Sequence, residues 1–236
     1  MLSELKKEIH SRANPEKAKL LQRFFKTGKG EYGEGDLFLG INLPVLREIS
    51  KRYFSLISLK DLEELLDNKY HEMRIIALLI LMLQYKKSKK NRLMQRKIYE
   101  FYLKKTDRIN NWDLVDISAP KIVGDFLWKN KEDILKELAQ SPNLWERRIA
   151  IISTFSFIKN RDFGETLAIS NMLLHDEQDL IHKAVGWALR EVGKKNKKVL
   201  ELFLISRYKE MPRTMLRYAL EKFPEEERQK WLKGEM

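Results

Sequence analysis

One pattern, a polar or basic turn followed by an apolar run at helical spacing, returns along most of this chain. YHEMRIIALLIL at Tyr70, NLWERRIAIIST at Asn143, DLIHKAVGWALR at Asp179 and KEMPRTMLRYAL at Lys209 can be aligned on their starts, and INNWDLVDISAP from Ile109 falls between the first two. With Arg74, Asn111, Arg148, Lys183 and Arg213 as anchors, the steps are 37, 37, 35 and 30 residues. A recurrence of that length, with two helices per unit, is the mark of a helical solenoid. A single unit cannot bury its apolar face alone, so neighbours must stack to build a continuous core.

The residues between the anchors fit helices and nothing else. Apolar positions recur at three and four, as in Leu62, Leu65 and Leu66 or Ile149, Ile152 and Phe155, and grouped β-branched runs are missing. Asn14-Pro15, Ser58, Asn110, Ser141-Pro142, Asn160, Pro212 and Pro224 supply starts and stops. Ser58-Leu59-Lys60-Asp61 has capping-box spacing ahead of DLEELL. The expected fold is all-α: a HEAT-like repeat solenoid of about a dozen helices in antiparallel pairs. It is expected to form one curved domain over residues 1–236. The second helices would line a concave face, with basic residues near their starts (Arg74, Arg147, Arg148, Lys183, Arg190, Arg213, Arg217) gathered into a positive groove.

Composition narrows the partners. Lys and Arg number 46 against 34 Asp and Glu, a formal charge of +12, which favours polyanions through counterion release. The absence of cysteine excludes disulfides, a thiol nucleophile and Cys-ligated metal. The four histidines, His10, His71, His175 and His182, form no H-x-x-x-H or H-E-x-x-H pair, so no metal site is expected. The longest apolar run, Ile75 to Leu83, is too short for a membrane span, and MLSELKKEIH lacks a signal-peptide core. A cytoplasmic, nucleoid-associated monomer without membrane contact is expected.

GKGEYG, Gly28 to Gly33, matches G-x-G-x-x-G literally. A dinucleotide fingerprint must follow a strand and open a helix, whereas this one follows KAKLLQRFFK and precedes FLGINLPVLREISK in a chain without strand signals. Residues 27–36 therefore read as a glycine-rich inter-helix loop, with Gly28 ending the preceding helix and no nucleotide cofactor implied. Lys29 and exposed loop amides could meet a phosphate, opposed by Glu31, Glu34 and Asp36.

Chemistry concentrates in NNWDLVDISAP. Trp112 and Asp116, at i and i+4, share a helix face; Asp113 lies about 100° away and does not. Arg148 follows Trp112 by 36 residues and Trp187 follows Arg148 by 39, each about one period, with Arg190 one turn beyond Trp187. A carboxylate, two indoles and guanidiniums thus fall at corresponding places of successive repeats. Trp128, Trp145 and Trp231 read as packing residues, and KKSKKNR, KKNKK and EEER as solvated helix ends. These residues alone leave open a non-catalytic DNA-binding repeat protein, a protein-interaction scaffold and a binder of structured RNA.

In FLGINLPVLR (Phe38 to Arg47), WDLVD (Trp112 to Asp116), LWERRIAI (Leu144 to Ile151) and KAVGWALRE (Lys183 to Glu191), in this order, the chain resembles the AlkD-type DNA alkylation repair glycosylases, HEAT-like repeat proteins. The resemblance implies hydrolysis of the N-glycosidic bond of N3- and N7-alkylated purines in double-stranded DNA. It implies Asp116 as the catalytic carboxylate, Trp112 and Trp187 as aromatics against the lesion's deoxyribose, and Arg148 and Arg190 as DNA contacts. Lys183 and Arg147, beside these positions, are added as DNA-binding candidates. It further implies action on a stacked base in a distorted duplex rather than extrusion into a pocket.

Overall fold

A computed structural model describes residues 1–130 and 132–235. Among the described residues every regular element is helical, with a lone β-bridge between Leu37 and Tyr70. They pack as two compact units, Met1–Ser118 and Ala119–Met236.

The first unit holds α1 (Leu2–Ser11), α2 (Pro15–Phe24), α3 (Leu43–Tyr53), α4 (Leu59–Leu66), α5 (His71–Lys87), α6 (Arg92–Lys104) and α7 (Trp112–Ser118). Its centre is α5. IIALLILML is apolar on every side, and a helix of that kind must be surrounded; α5 is buried from His71 to Leu81 and packs on α3, α4, α6 and α7. Leu46 and Ile49 of α3 and Leu62, Leu65 and Leu66 of α4 close over it. The starts follow the local signals: Asn14 caps α2 with Pro15 in its first turn, and Ser58 with Asp61 forms a complete capping box on α4.

Between α2 and α3 the backbone is irregular yet buried from Phe38 to Ile41, so its amides need acceptors from elsewhere. Glu72 of α5 supplies them. Its buried carboxylate accepts from the amides of Leu39 (2.8 Å), Gly40 (2.8 Å) and Ile41 (3.2 Å). The Leu37 carbonyl in turn accepts from the His71 amide at 2.8 Å, one of the donors that the start of α5 leaves unpaired. Gly40 sits at φ +82, where a Cβ would lie 2.1 Å from the Asn14 carbonyl oxygen, so only glycine passes there.

The glycine-rich loop differs from expectation in two respects. Helix α2 ends at Phe24, and Lys26, not Gly28, takes the positive φ after it. The Gly28 and Gly30 amides are not open to a phosphate: they donate to Glu31 Oε2 and Glu34 Oε2, each at 2.8 Å. Acids three and four residues downstream reach those amides first.

The second unit carries α8 (Asp125–Asn130), α9 (Ile134–Ala139), α10 (Leu144–Ser153), α11 (Phe155–Lys159), α12 (Gly164–Met172), α13 (Asp179–Lys195), α14 (Lys197–Ile205), α15 (Arg213–Ala219) and α16 (Glu225–Lys233), preceded by a π-helical turn at Pro120–Gly124. Proline has no amide hydrogen, and the Gly124 amide closes a wide turn onto the Ala119 carbonyl at 2.9 Å. Here the repeat is plain: α10, α13 and α15, the three second helices, pack side by side, with α9 against α10 and α14 against α13. Trp145 and Trp231 are buried packing residues.

Candidate functional site

Helix α7 is short, and its two faces do different things. Leu114, Val115 and Ser118 point into the core, while Trp112 and Asp116 are half-buried. The two stand one turn apart on this helix. The Trp112 ring stacks on Phe25 (centroids 5.2 Å, interplanar 15°), with Phe24 edge-on at 6.1 Å. Behind Asp116, Tyr102 and Ser118 form a closed chain. Ser118 Oγ donates to the Leu114 carbonyl at 2.5 Å, so its one proton is used and the Tyr102 hydroxyl donates to it at 2.9 Å. Burial pushes the Tyr102 phenol far above its ordinary pKa; the Ser118 hydrogen bond opposes this and the Asp116 charge adds to it. Tyr102 is therefore a neutral donor at any working pH.

Asp113, on the other side of α7, reaches into a buried polar cluster that sequence reasoning did not find. His71 Nε2 lies 2.8 Å from Asp113 Oδ2, and Nδ1 lies 3.2 Å from Asp36 Oδ2. Arg74 pairs with Asp36 Oδ1 at 2.5 Å, and Asn111 donates to Asp36 Oδ2 at 3.3 Å while its own Oδ1 accepts from the Trp112 amide at 2.8 Å. Burial alone would raise the Asp36 pKa; His71 and Arg74 outweigh it and hold the carboxyl below its ordinary range. The imidazole of His71 stacks on Phe38 at 4.6 Å, Phe38 on Phe25 at 5.0 Å, and Phe25 on Trp112. A continuous pile of rings thus runs from the histidine to the candidate site.

The second unit places the remaining candidates. Trp187 of α13 is half-buried, its ring edge-to-face with Phe155 at 4.6 Å. Arg190 is paired with Glu221 and lies 3.5 Å from Glu191; Lys183, half-buried, pairs with Asp179 at 2.7 Å. Arg148 is buried and donates from Nη1 to the Leu180 carbonyl at 2.6 Å, tying α10 to the start of α13. Arg147 holds Asp176 at 2.6 Å and the Ser141 and Pro142 carbonyls, each at 3.0 Å. The expected row of solvent-facing basic residues is corrected at these points. Arg74 and Arg148 are buried, because a guanidinium beside a helix start has carboxylates and carbonyls to satisfy within the protein. Arg217 is exposed, and Arg213, also exposed, donates to the Leu232 carbonyl at 2.6 Å.

The family of DNA alkylation repair enzymes matches residues 5–223, nearly the whole chain. The chain belongs to that family. Solved structures share the fold at low identity. A predicted DNA alkylation repair enzyme from Enterococcus faecalis is 18% identical, with a TM-score of 0.68 over 90% of this chain and 97% of its own. AlkD2 from Streptococcus mutans is 17% identical, with a TM-score of 0.58 over 89% and 98%. The smu.31 protein of Streptococcus mutans UA159 is 19% identical, with a TM-score of 0.52 over 94% and 96%. A search of curated proteins returns no match.

Membership in a DNA alkylation repair enzyme family gives the chain a DNA repair role, and its helical-repeat architecture is the one its structural neighbours share. Among the described residues no helix is long and apolar enough to cross a membrane, and no group of three or more His, Asp or Glu could hold a metal ion. One signal for the missed cluster was present: His71-Glu72 and Arg74 stand at the head of a helix whose body is wholly apolar, so these charges enter the interior with it and require partners there.

Proposed function

We propose that this member of the DNA alkylation repair enzyme family is a monofunctional glycosylase. It hydrolyses the N-glycosidic bond of cationic N3- and N7-alkylated purines in duplex DNA. The observation that supports the reading is that Trp112 and Asp116 stand one turn apart on α7, both half-buried, with Leu114 and Val115 in the core and Asp113 held by His71.

The chemistry suits these groups. An alkylated purine already carries positive charge and departs without protonation, so no general acid is needed. As the C1′–N bond breaks, its electron pair leaves with the base and positive charge develops on the sugar. The Asp116 carboxylate stabilises that charge and orients a water whose oxygen bonds to C1′; the water's proton passes to the carboxylate. The indoles of Trp112 and Trp187 add cation–π attraction for the sugar, about 1–2 kcal/mol each once desolvated. Lys183, Arg190 and Arg148 contribute positive field toward the phosphates, a long-range effect that does not require each donor to touch one, while Arg147, held by Asp176, braces the loop before α10. A site that stabilises the sugar and not the base has no need to extrude the base, in contrast to most glycosylases. Bulky cationic adducts are then substrates and neutral lesions poor ones.

The test is release of free 7-methylguanine from duplex DNA by the wild type and by Asp116→Asn. Single-turnover release is expected to fall about 10²–10³-fold in the variant. Equal release by both would remove Asp116 from the mechanism. Salt-sensitive DNA binding without release by the wild type would make the protein a non-catalytic lesion or DNA binder.

A further inference from the structure

Both ring nitrogens of His71 face carboxylate oxygens, Nε2 toward Asp113 and Nδ1 toward Asp36. An ionised carboxylate can only accept, and a neutral imidazole has one N–H, so the neutral ring would set a lone pair against an acceptor on one side. Two donors satisfy both contacts. The geometry therefore fits the imidazolium. Two carboxylates face the ring, Asp36 from the 36–41 segment and Asp113 from α7; Arg74 from the next turn of α5, whose Nη2 lies 3.5 Å from Nδ1, is the one charged group that opposes a second proton there. Phe25 and Phe38, packed on the ring, carry no charge. Two carboxylates and two cations balance; a neutral His71 would leave a buried net negative charge at a site where His71 and Asp36 are 1% and 4% exposed.

Helix α7 needs such a tether. It has seven residues, too few to hold its own shape, and a turn of the helix about its axis would carry Trp112 and Asp116 together away from the face they now share. Asp113 is the residue next to Trp112, and its bond to His71 fixes the helix azimuth. The ring pile of His71, Phe38, Phe25 and Trp112 fixes it a second time.

We propose that His71, as an imidazolium, is the positioning residue that pins α7 to the 36–41 segment through Asp113, turning Trp112 and Asp116 to one face together, and that alkaline pH releases the pin. Its consequence for catalysis rests on the glycosylase reading given above; the pin itself rests on geometry alone. Burial pushes the His71 pKa down, but the Asp113 charge and the hydrogen bonds to Asp113 and Asp36 outweigh it against opposition from Arg74, and the net direction is up. A raised folded-state pKa stabilises the fold fully below the unfolded value near 6.5, and the stabilisation is lost as pH rises through the folded value. Release therefore comes on the alkaline side.

The experiment uses the full chain as wild type, His71→Gln and Asp113→Asn, read three ways between about pH 5.5 and 9.5. Imidazole ¹⁵N shifts report the charge of His71; hydrogen exchange of Trp112–Ser118, corrected for intrinsic pH dependence, reports the order of α7; and single-turnover release of 7-methylguanine reports the site. In wild type, ¹⁵N shifts of an imidazolium are expected at neutral pH. Exchange in α7 should rise, and base release fall, each about tenfold over the interval where His71 deprotonates. His71→Gln should show raised exchange and slowed release with the alkaline fall abolished. Should His71→Gln fail to fold, Asp113→Asn, which leaves Asp36, Arg74 and His71 in place, is expected to show the same loss of protection confined to α7. A neutral imidazole at neutral pH, or α7 exchange in wild type that does not follow His71, overturns the proposal. If the pin titrates as expected while wild type releases no base, the proposal stands and the glycosylase reading fails.

Discussion

The irregular segment at residues 36–41 and the three packed second helices α10, α13 and α15 solve the same problem by different means. In the helices every interior amide is satisfied within its own turn, so side chains need only pack and meet a few carbonyls at helix ends. Arg148 reaching Leu180 and Arg213 reaching Leu232 are contacts of that kind. Gly186 marks how close the packing is: a Cβ there would lie 2.5 Å from the Met215 carbonyl oxygen. The 36–41 segment has no such internal pairing. Its amides and its one carboxylate are buried, and α5 answers with Glu72, His71 and Arg74. Buried charge stands where a regular ladder would otherwise be, and the helix that carries Trp112 and Asp116 is tied to it.

The largest expected effect tests how rigid that irregular segment is. Gly40→Ala meets both a strained backbone, at φ +82, and a main-chain oxygen 2.1 Å from the new carbon, so about 3–5 kcal/mol of stability should be lost in urea unfolding. Gly186→Ala, at an ordinary helical φ, meets only crowding and should cost about 1–3 kcal/mol. If the two cost the same, the segment yields as easily as a helix interface and the contrast between the regions is gone.

Next in size is Arg147→Ala. Its guanidinium holds Asp176, 5% exposed, and two loop carbonyls, so removal strands a nearly buried carboxylate. A loss of about 2–4 kcal/mol is expected, with the slope of DNA binding against salt unchanged. A shift of that slope by about one, without loss of stability, would instead make Arg147 a phosphate contact and restore the row of basic residues that its spacing suggested.

These cases show what could be read beforehand. The repeat period was legible because each second helix buries the same kind of stripe, and local rules act within four residues: Trp112 with Asp116, Ser58 with Asp61, Asn14 ahead of Pro15. The basic anchors were found for the right reason, their period, but their direction was not legible. Whether an arginine faces solvent or a carbonyl depends on the neighbouring repeat: Leu180, for instance, lies 32 residues beyond Arg148. His71 meets Asp36 and Asp113 across 35 and 42 residues, distances over which no spacing rule operates. The literal G-x-G-x-x-G was the opposite case, a local signal with no matching context, its amides taken by Glu31 and Glu34.

The smallest expected effect isolates a purely local motif inside the same unit. Ser58 Oγ accepts from the Asp61 amide at 3.2 Å, and Asp61 Oδ2 accepts from the Ser58 amide at 2.8 Å and from its hydroxyl at 2.7 Å. Ser58→Ala removes two of these three bonds and should cost about 1 kcal/mol near neutral pH. The side-chain hydrogen bond from Ser58 is the main reason the Asp61 carboxyl titrates below its ordinary range; its backbone bond adds to this, against a small contribution from burial. A depressed pKa stabilises above the unfolded value and loses that contribution as pH falls through the folded one. The cost of Ser58→Ala should therefore shrink when unfolding is measured near pH 3, and the Asp61 carboxyl in the variant should titrate closer to its unfolded value. A cost that stays constant with pH would mean that the cap acts through the helix backbone alone and that Asp61 adds nothing. The long-range carboxylates Asp36 and Glu72 would then remain the places where the first unit uses charge to hold its shape.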